Sequence, residues 1–270
     1  MRQLGVICSA LLAAAAFSAL GVGEASAQST NPPDMIYVKG GTFKMGSNDG
    51  YADEAPVHNV TLSDFYIGKY EVTVAQYRQF CTATNHRFPA SPDKDWYDEH
   101  ENAVQWQWND TYPIVNITYF DAIAYCKWLS EFTGEHYTLP TEAQWEYAAK
   151  GGNKSKNYKY AGSNDIDEVA WYDETTRERG PRPVGKLKPN ELGIYDMSGN
   201  VWEWCLDYWG NYSAKSQKDP TGPAQGGYKV IRGGSWYYVD DMAKLTSRDG
   251  PKPGKPNFNY GFRVVKLAKK

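Results

Sequence analysis

The apolar positions of the chain change period several times, and each change marks an element. Leu4 to Val22 is a charge-free run rich in Ala and Leu. Met35 to Val38 reads as a strand, Gly40-Gly41 as a turn and Thr42 to Gly46 as the hairpin partner. Pro56 to Leu62 alternates, with Val57 and the other odd positions expected on one face, and Phe65 to Val72 follows as another strand. From Thr73 the period becomes helical: Val74, Tyr77, Phe80 and Cys81 recur at three and four residues behind a capping threonine. A second amphipathic helix, Ala122 to Phe132, starts from Thr118 or Asp121 and offers Ile123, Cys126, Trp128 and Leu129 to a core. A third, Glu142 to Lys150, has Thr141 as cap and Gln144 as capping-box partner, and stops at Gly151-Gly152.

Elsewhere regular periodicity is weak. Residues 85–111 are aromatic and polar, with Trp96, Trp106 and Trp108, and residues 153–190 are rich in Gly, Pro and charge. A loop as long as the first is ordinarily functional or disordered, and its tryptophans favour order. Short strand-and-turn segments follow around Gly193–Trp204, Val230–Trp236 and Gly261–Val265. With no internal repeat, low-complexity tract or linker, the pattern predicts one α+β domain with much irregular structure.

The first segment is read separately. Arg2 precedes the apolar run, and Ala25-Ser26-Ala27 supplies small residues at positions a signal peptidase reads. Residues 1–27 are therefore expected to be a secretory signal, 28–34 a short leader and 35–270 the folded domain, giving a periplasmic or secreted protein without a membrane span after cleavage. The alternative reading of the run is a membrane anchor. Three cysteines would remain, Cys81, Cys126 and Cys205, each beside an aromatic residue, and they read as buried free thiols rather than a disulfide pair or a zinc site.

Composition narrows function by exclusion. Of the 270 residues, 29 are Lys or Arg and 32 Asp or Glu, a net charge of −3, which argues against a nucleic-acid partner. Aromatic residues make up 15%, including 10 Trp and 21 Tyr, so amphipathic rings are expected to pin the irregular segments.

A set of segments taken in order resembles the formylglycine-generating enzyme, or sulfatase-modifying-factor, family. They are Gly40 to Gly46, Ala55-Pro56-Val57-His58, Tyr70-Glu71-Val72-Thr73, Leu139 to Tyr147, Gly199 to Trp204, Arg232 to Trp236, and Gly261-Phe262-Arg263. The resemblance implies a single C-type-lectin-like domain with little regular secondary structure. In that family two thiols just after the Gly-Gly-Ser motif bind copper(I) and oxidise a substrate cysteine. Counted without gaps from Ser235, their positions here hold Tyr238 and Ala243, which cannot replace soft thiolates, so copper is not expected. The family's partner for the helix cysteine corresponds to Val264, consistent with a free Cys126, and the histidine-rich helix of its iron-dependent branch is absent.

The resemblance further implies calcium held by Asp196, Gly199, Val201 and Glu203, two carboxylates and two main-chain carbonyls, a hard oxygen set. Two carboxylates seven residues apart across a Gly-containing turn would repel without a cation; the plainer reading is that they satisfy local backbone donors. The presumed cleft gathers Trp202, Ser235, Trp236, Tyr237 and Arg248 as ligand contacts, with Tyr238, Asp240 and Asp241 as candidate acid/base groups. Three functions compete. The first is an accessory module binding a peptide or small molecule. The second is a cysteine-independent tailoring oxidase resembling the members that mature pyoverdine-type siderophores. The third is an authentic formylglycine generator with displaced thiols.

Overall fold

The computed structural model describes residues 32–91, 107–176 and 179–268. The expected secretory signal, most of the leader, and Trp96 and Trp106 lie outside them. The strands are β1 (Met35–Val38), β2 (Gly41–Met45), β3 (His58–Leu62), β4 (Phe65–Gly68), β5 (Tyr137–Thr138), β6 (Trp202–Tyr208), β7 (Gln217–Lys218), β8 (Lys229–Arg232), β9 (Arg248–Asp249), β10 (Tyr260–Gly261) and β11 (Val265–Leu267). The helices are α1 (Val74–Thr84), α2 (Tyr119–Thr133), α3 (Glu142–Ala149) and the single turn α4 (Asp173–Thr176). This is the α+β architecture of short elements that the periodicity predicts.

The three long helices start by the same device. Thr73, Thr118 and Thr141 each accept the amide of the residue three positions on, at 3.3, 3.1 and 3.1 Å. The side chains of Gln76, Asp121 and Gln144 return the bond to the threonine amide at 3.0, 2.8 and 2.9 Å. Two orphan donors are thus satisfied at each start. In α2 Thr118 is the cap and Asp121 its partner, so the helix begins at Tyr119, earlier than the pattern suggested.

The expected hairpin does not form. β1 pairs with β4, and β2 with β3, so Gly40-Gly41 carries the chain from one sheet to another. A side chain at Gly40 would meet the Leu62 carbonyl oxygen at 2.2 Å, so the turn glycine serves a close crossing. The odd positions of β3 share one face, as expected, and it is the less buried one. His58, Val60 and Leu62 point inward because the His58 imidazole is buried, with Nδ1 donating to the Pro56 carbonyl at 3.0 Å and its ring 4.9 Å from that of Tyr212. β4 ends at Gly68, short of the predicted Val72.

Among the described residues the strands form three sheets, ordered β1-β4-β11-β5, β10-β6-β8-β9 and β2-β3-β7. The second divides the interior. Trp202, Trp204 and Ile231 face the core built on α1 and α2 with Tyr77, Phe80, Tyr125 and Phe262. Cys205 and Val230 face the core beneath α3 with Trp145, Ile67 and Leu245. This split is the period-two alternation of strand side chains. Cys81, Cys126 and Cys205 are buried and free, as expected.

Candidate functional site

Position on β6, β8 and β9 decides which side chains can meet. Glu203 lies opposite Arg232, and Arg232 opposite Arg248, all on the α3 side. There buried ion pairs hold the sheet to its surroundings, with Arg232 Nη1 also 3.6 Å from Glu142. Arg248 donates from Nε and Nη2 to Glu142 at 2.7 and 2.8 Å, and Arg232 Nη2 to Glu146 at 2.6 Å. Arg263 reaches Glu203 with two bonds of 2.7 Å. The remaining Nη1 of Arg248 donates to the carbonyls of Asp53 and Gly210. Arg248 therefore does not join Trp202 and Tyr238 around one cleft: it lies on the other face of the sheet. Burial raises the pKa of the Tyr238 and Tyr260 hydroxyls, and the charge of the neighbouring Asp249, opposite Ile231, adds to the shift at both.

The segment from Ser235 to Asp241 leaves β8 through Gly233 and Gly234, whose φ values of 100° and 73° suit glycine. A side chain on Gly234 would also lie 2.5 Å from the Met242 carbonyl. Ser235 is buried and accepts from Asn259 Nδ2 at 3.1 Å, so it acts as a turn anchor. Trp236 is buried; its amide donates to the Asn200 carbonyl and its carbonyl accepts from the Thr176 hydroxyl at 2.7 Å. Tyr237 and Tyr238 are half-buried with ring centroids 5.8 Å apart. Tyr238 meets the ring of buried Trp202 edge-on at 6.0 Å, and Tyr237 meets Phe258 at 5.2 Å.

The three acid/base candidates do not converge. Asp240 turns to the Tyr160 hydroxyl at 3.3 Å and to Lys159 at 3.8 Å. Asp241 pairs with Lys244 at 2.6 Å, which holds its carboxyl below the usual range. Tyr238 remains beside Trp202 and Asp249. What the structure assembles is an aromatic face of Tyr237, Tyr238 and Phe258, backed by Trp202, with one carboxylate at its edge. Asp249 and Phe258 were missed because nothing local to either sequence segment reveals which strand each lies beside.

The loop expected to hold calcium is tightly built. Asp196 adopts φ 58° and its Oδ2 accepts the Gly185 amide at 2.7 Å. Glu203 has both oxygens engaged, by Arg263 and by the Trp145 indole at 2.9 Å. Glu71, not singled out from the sequence, is buried beside them and accepts from Asn200 Nδ2 at 2.8 Å and the Val201 amide at 3.3 Å. Burial raises the carboxyl of Asp196 to about 6, and that of Glu71 well above the usual range, with Asp196 and Glu203 adding repulsion there. Three buried acids thus share Arg263. Among the described residues, no group of three His, Cys, Asp or Glu side chains is arranged to hold a metal ion. Of the two carboxylates expected to hold calcium, Glu203 is committed to Arg263, and Asp196 has one oxygen on the Gly185 amide.

Comparison with known proteins places these features in a family. A sulfatase-modifying factor enzyme 1-like domain model matches residues 22–268. The chain belongs to the FGE-sulfatase family. It is 33% identical to the chaperone protein LppX of Paenibacillus barcinonensis over 306 residues, covering 93% of this chain and 96% of that protein. It is 32% identical to the formylglycine-generating enzyme of Streptomyces coelicolor over 287 residues, covering 87% and 89%. A 34% identity to the serine/threonine-protein kinase Pkn1 of Chlamydia trachomatis covers 87% of this chain, which spans only 38% of that kinase. Among solved structures, Treponema denticola variable protein 1 and PvdO from Pseudomonas aeruginosa each match with a TM-score of 0.73 and 28% identity, covering 87% of this chain and 95% of theirs. The domain is C-type-lectin-like, as the resemblance implied. No helix among the described residues of this family member is long and apolar enough to cross a membrane.

Proposed function

We propose that this chain is an exported accessory domain of the FGE-sulfatase family that binds a peptide or small molecule rather than oxidising a cysteine. One observation carries the reading: the positions that a gapless count from Ser235 gives to the family's copper(I) thiols hold Tyr238 and Ala243, and the three cysteines that the structure describes are buried elsewhere. Burial pushes the Cys81 thiol up to about 11 and those of Cys126 and Cys205 higher still, so none supplies a thiolate at neutral pH. The aromatic face of Tyr237, Tyr238 and Phe258, with Asp249 at its edge, is the surface we assign to the ligand, because rings beside a few polar groups suit such recognition. That a relative matched over 96% of its length is named a chaperone favours an accessory role.

The experiment is incubation of the protein, with copper(I) and oxygen, with a Cys-x-Pro-x-Arg peptide. The peptide mass is expected to stay unchanged, and conversion of its thiol to an aldehyde would refute the reading. A second reading, a cysteine-independent tailoring enzyme, is favoured by Tyr238, the one expected acid/base group left on the aromatic face and the one next to a carboxylate. At the loop of Asp196 we propose structural calcium, a +2 ion that would offset the excess of buried carboxylates over Arg263.

A further inference from the structure

On the α3 side of the central sheet lies a cavity of about 320 Å³, lined by His58, Glu142, Asp207, Tyr212, Thr221 and Arg248 among others. It belongs to neither the aromatic face nor the loop of Asp196. β6 creates it: after Trp204 pairs with Ile231, the register slips until Tyr208 pairs with Lys229, and the extra residues carry Asp207 toward the start of α3. Asp207 Oδ2 there accepts the Glu142 amide at 2.9 Å. Gly222, at φ 72°, closes over it, and a side chain on that glycine would meet Asp207 Cβ at 2.8 Å.

The cations around this cavity are already engaged. Arg248 spends its bonds on Glu142 and two carbonyls. Arg232 is bound to Glu146 and to carbonyls of residues 245–247, and Lys229 donates to the Leu206 carbonyl at 2.7 Å. Away from the rim, where Asn211, Ser213, Gln217 and Thr221 can also donate, the groups left to a ligand are acceptors. Asp207 presents its carboxylate, only 4% exposed. His58 is 3% exposed, and because its Nδ1 faces a carbonyl, which only accepts, Nδ1 carries the proton and Nε2 is left as an acceptor. The Tyr212 hydroxyl has spent its proton on Glu142 Oε1 at 2.9 Å and keeps its lone pairs. Three acceptors match the three N–H bonds of an ammonium group.

We propose that this cavity is a second ligand site, built for a small molecule bearing a primary ammonium group, with Asp207 as its counter-charge and His58 Nε2 and the Tyr212 hydroxyl oxygen as further acceptors. The site is proton-linked. Burial, reinforced by Glu142 on α3, raises the Asp207 carboxyl to about 7, against the opposing charge of Lys229 on β8. The other ionisable groups facing the cavity are His58 of β3, Tyr208 of β6, Tyr212, and Arg248 of β9. A cation binds the ionised carboxylate, so affinity rises with pH.

The test is calorimetric titration of the whole protein with n-propylamine hydrochloride, using sodium propanoate as a control of similar size and opposite charge. Saturable binding of the amine alone is expected, about tenfold weaker at pH 6 than at pH 8 as Asp207 takes up its proton. Asp207→Asn keeps an acceptor for the Glu142 amide and should abolish binding. Thr221→Trp fills the cavity from an exposed loop, leaves the buried ion pairs untouched, and should abolish it as well. Absence of amine binding to the unaltered protein at pH 8 overturns the proposal. So does binding that survives in folded Thr221→Trp, or that does not change with pH.

Discussion

Arg248 and Asp249 are adjacent in sequence and serve opposite sides of the protein. Arg248 clamps Glu142 with bonds of 2.7 and 2.8 Å on the α3 side, while Asp249 acts on Tyr238 across the other face. The separation turns a question about ligand binding into one about stability.

Arg248→Ala is expected to destabilise the fold by about 3 kcal/mol, because it strips buried Glu142 of its two-pronged partner and leaves it only the Tyr212 hydroxyl at 2.9 Å and Arg232 Nη1 at 3.6 Å. Arg248→Lys should recover little of this, since an ammonium cannot reproduce the two-pronged contact with a carboxylate. Urea denaturation measures both. A loss below about 1 kcal/mol for the alanine variant, within the range of a surface ion pair, would contradict the assignment.

Asp207 makes stability depend on pH in a defined direction. Its carboxyl is raised in the folded state to about 7 from an ordinary 3.8. The folded protein therefore holds a proton that the unfolded chain releases, so this group's contribution falls as pH rises from about 4 to 7 and is flat above. The full difference is about 4 kcal/mol. Relative to the unaltered protein, Asp207→Asn should gain stability steadily across that window. Parallel denaturation curves at pH 4.5 and 7.5 would show that Asp207 does not titrate in this way.

Calcium should raise the melting temperature, since an ion that binds only the folded chain stabilises it by mass action. Asp196→Asn should remove the increment. Identical melting curves in calcium and in chelator would eliminate the ion from this loop.

The thiols give a further check. Cys81 is 8% exposed, Cys126 2% and Cys205 0%, so alkylation of the native protein at pH 8 should be slower than in denaturant by orders of magnitude. Rapid native labelling of any of these residues would reopen the thiol-dependent reading.

The helix starts were legible because a capping box spans four residues and needs nothing from elsewhere. The same holds for the buried cysteines, whose aromatic neighbours already mark a core. What was illegible depended on pairing. The alternation of β3 did not say which face is inward: a carbonyl two residues away and a distant Tyr212 ring accommodate the polar His58 on the buried one. A two-residue strand such as β9 has no period to read, so the face of Arg248 is set by its register with β8. Asp207 and Glu71 owe their raised pKa values to burial and then to carboxylates far along the chain, Glu142 for the first and Asp196 and Glu203 for the second, and no local window contains those.

The threonine boxes at Thr73, Thr118 and Thr141 bear on how this architecture tolerates change. Each helix carries its own starting mark, so a connector can lengthen or shorten without shifting the residues a helix sends into the core. The arginines have no such independence: Arg232, Arg248 and Arg263 each reach back 60 or more residues to a carboxylate. Length variation should therefore collect in the segments between helices, while the strands bearing those arginines keep their spacing.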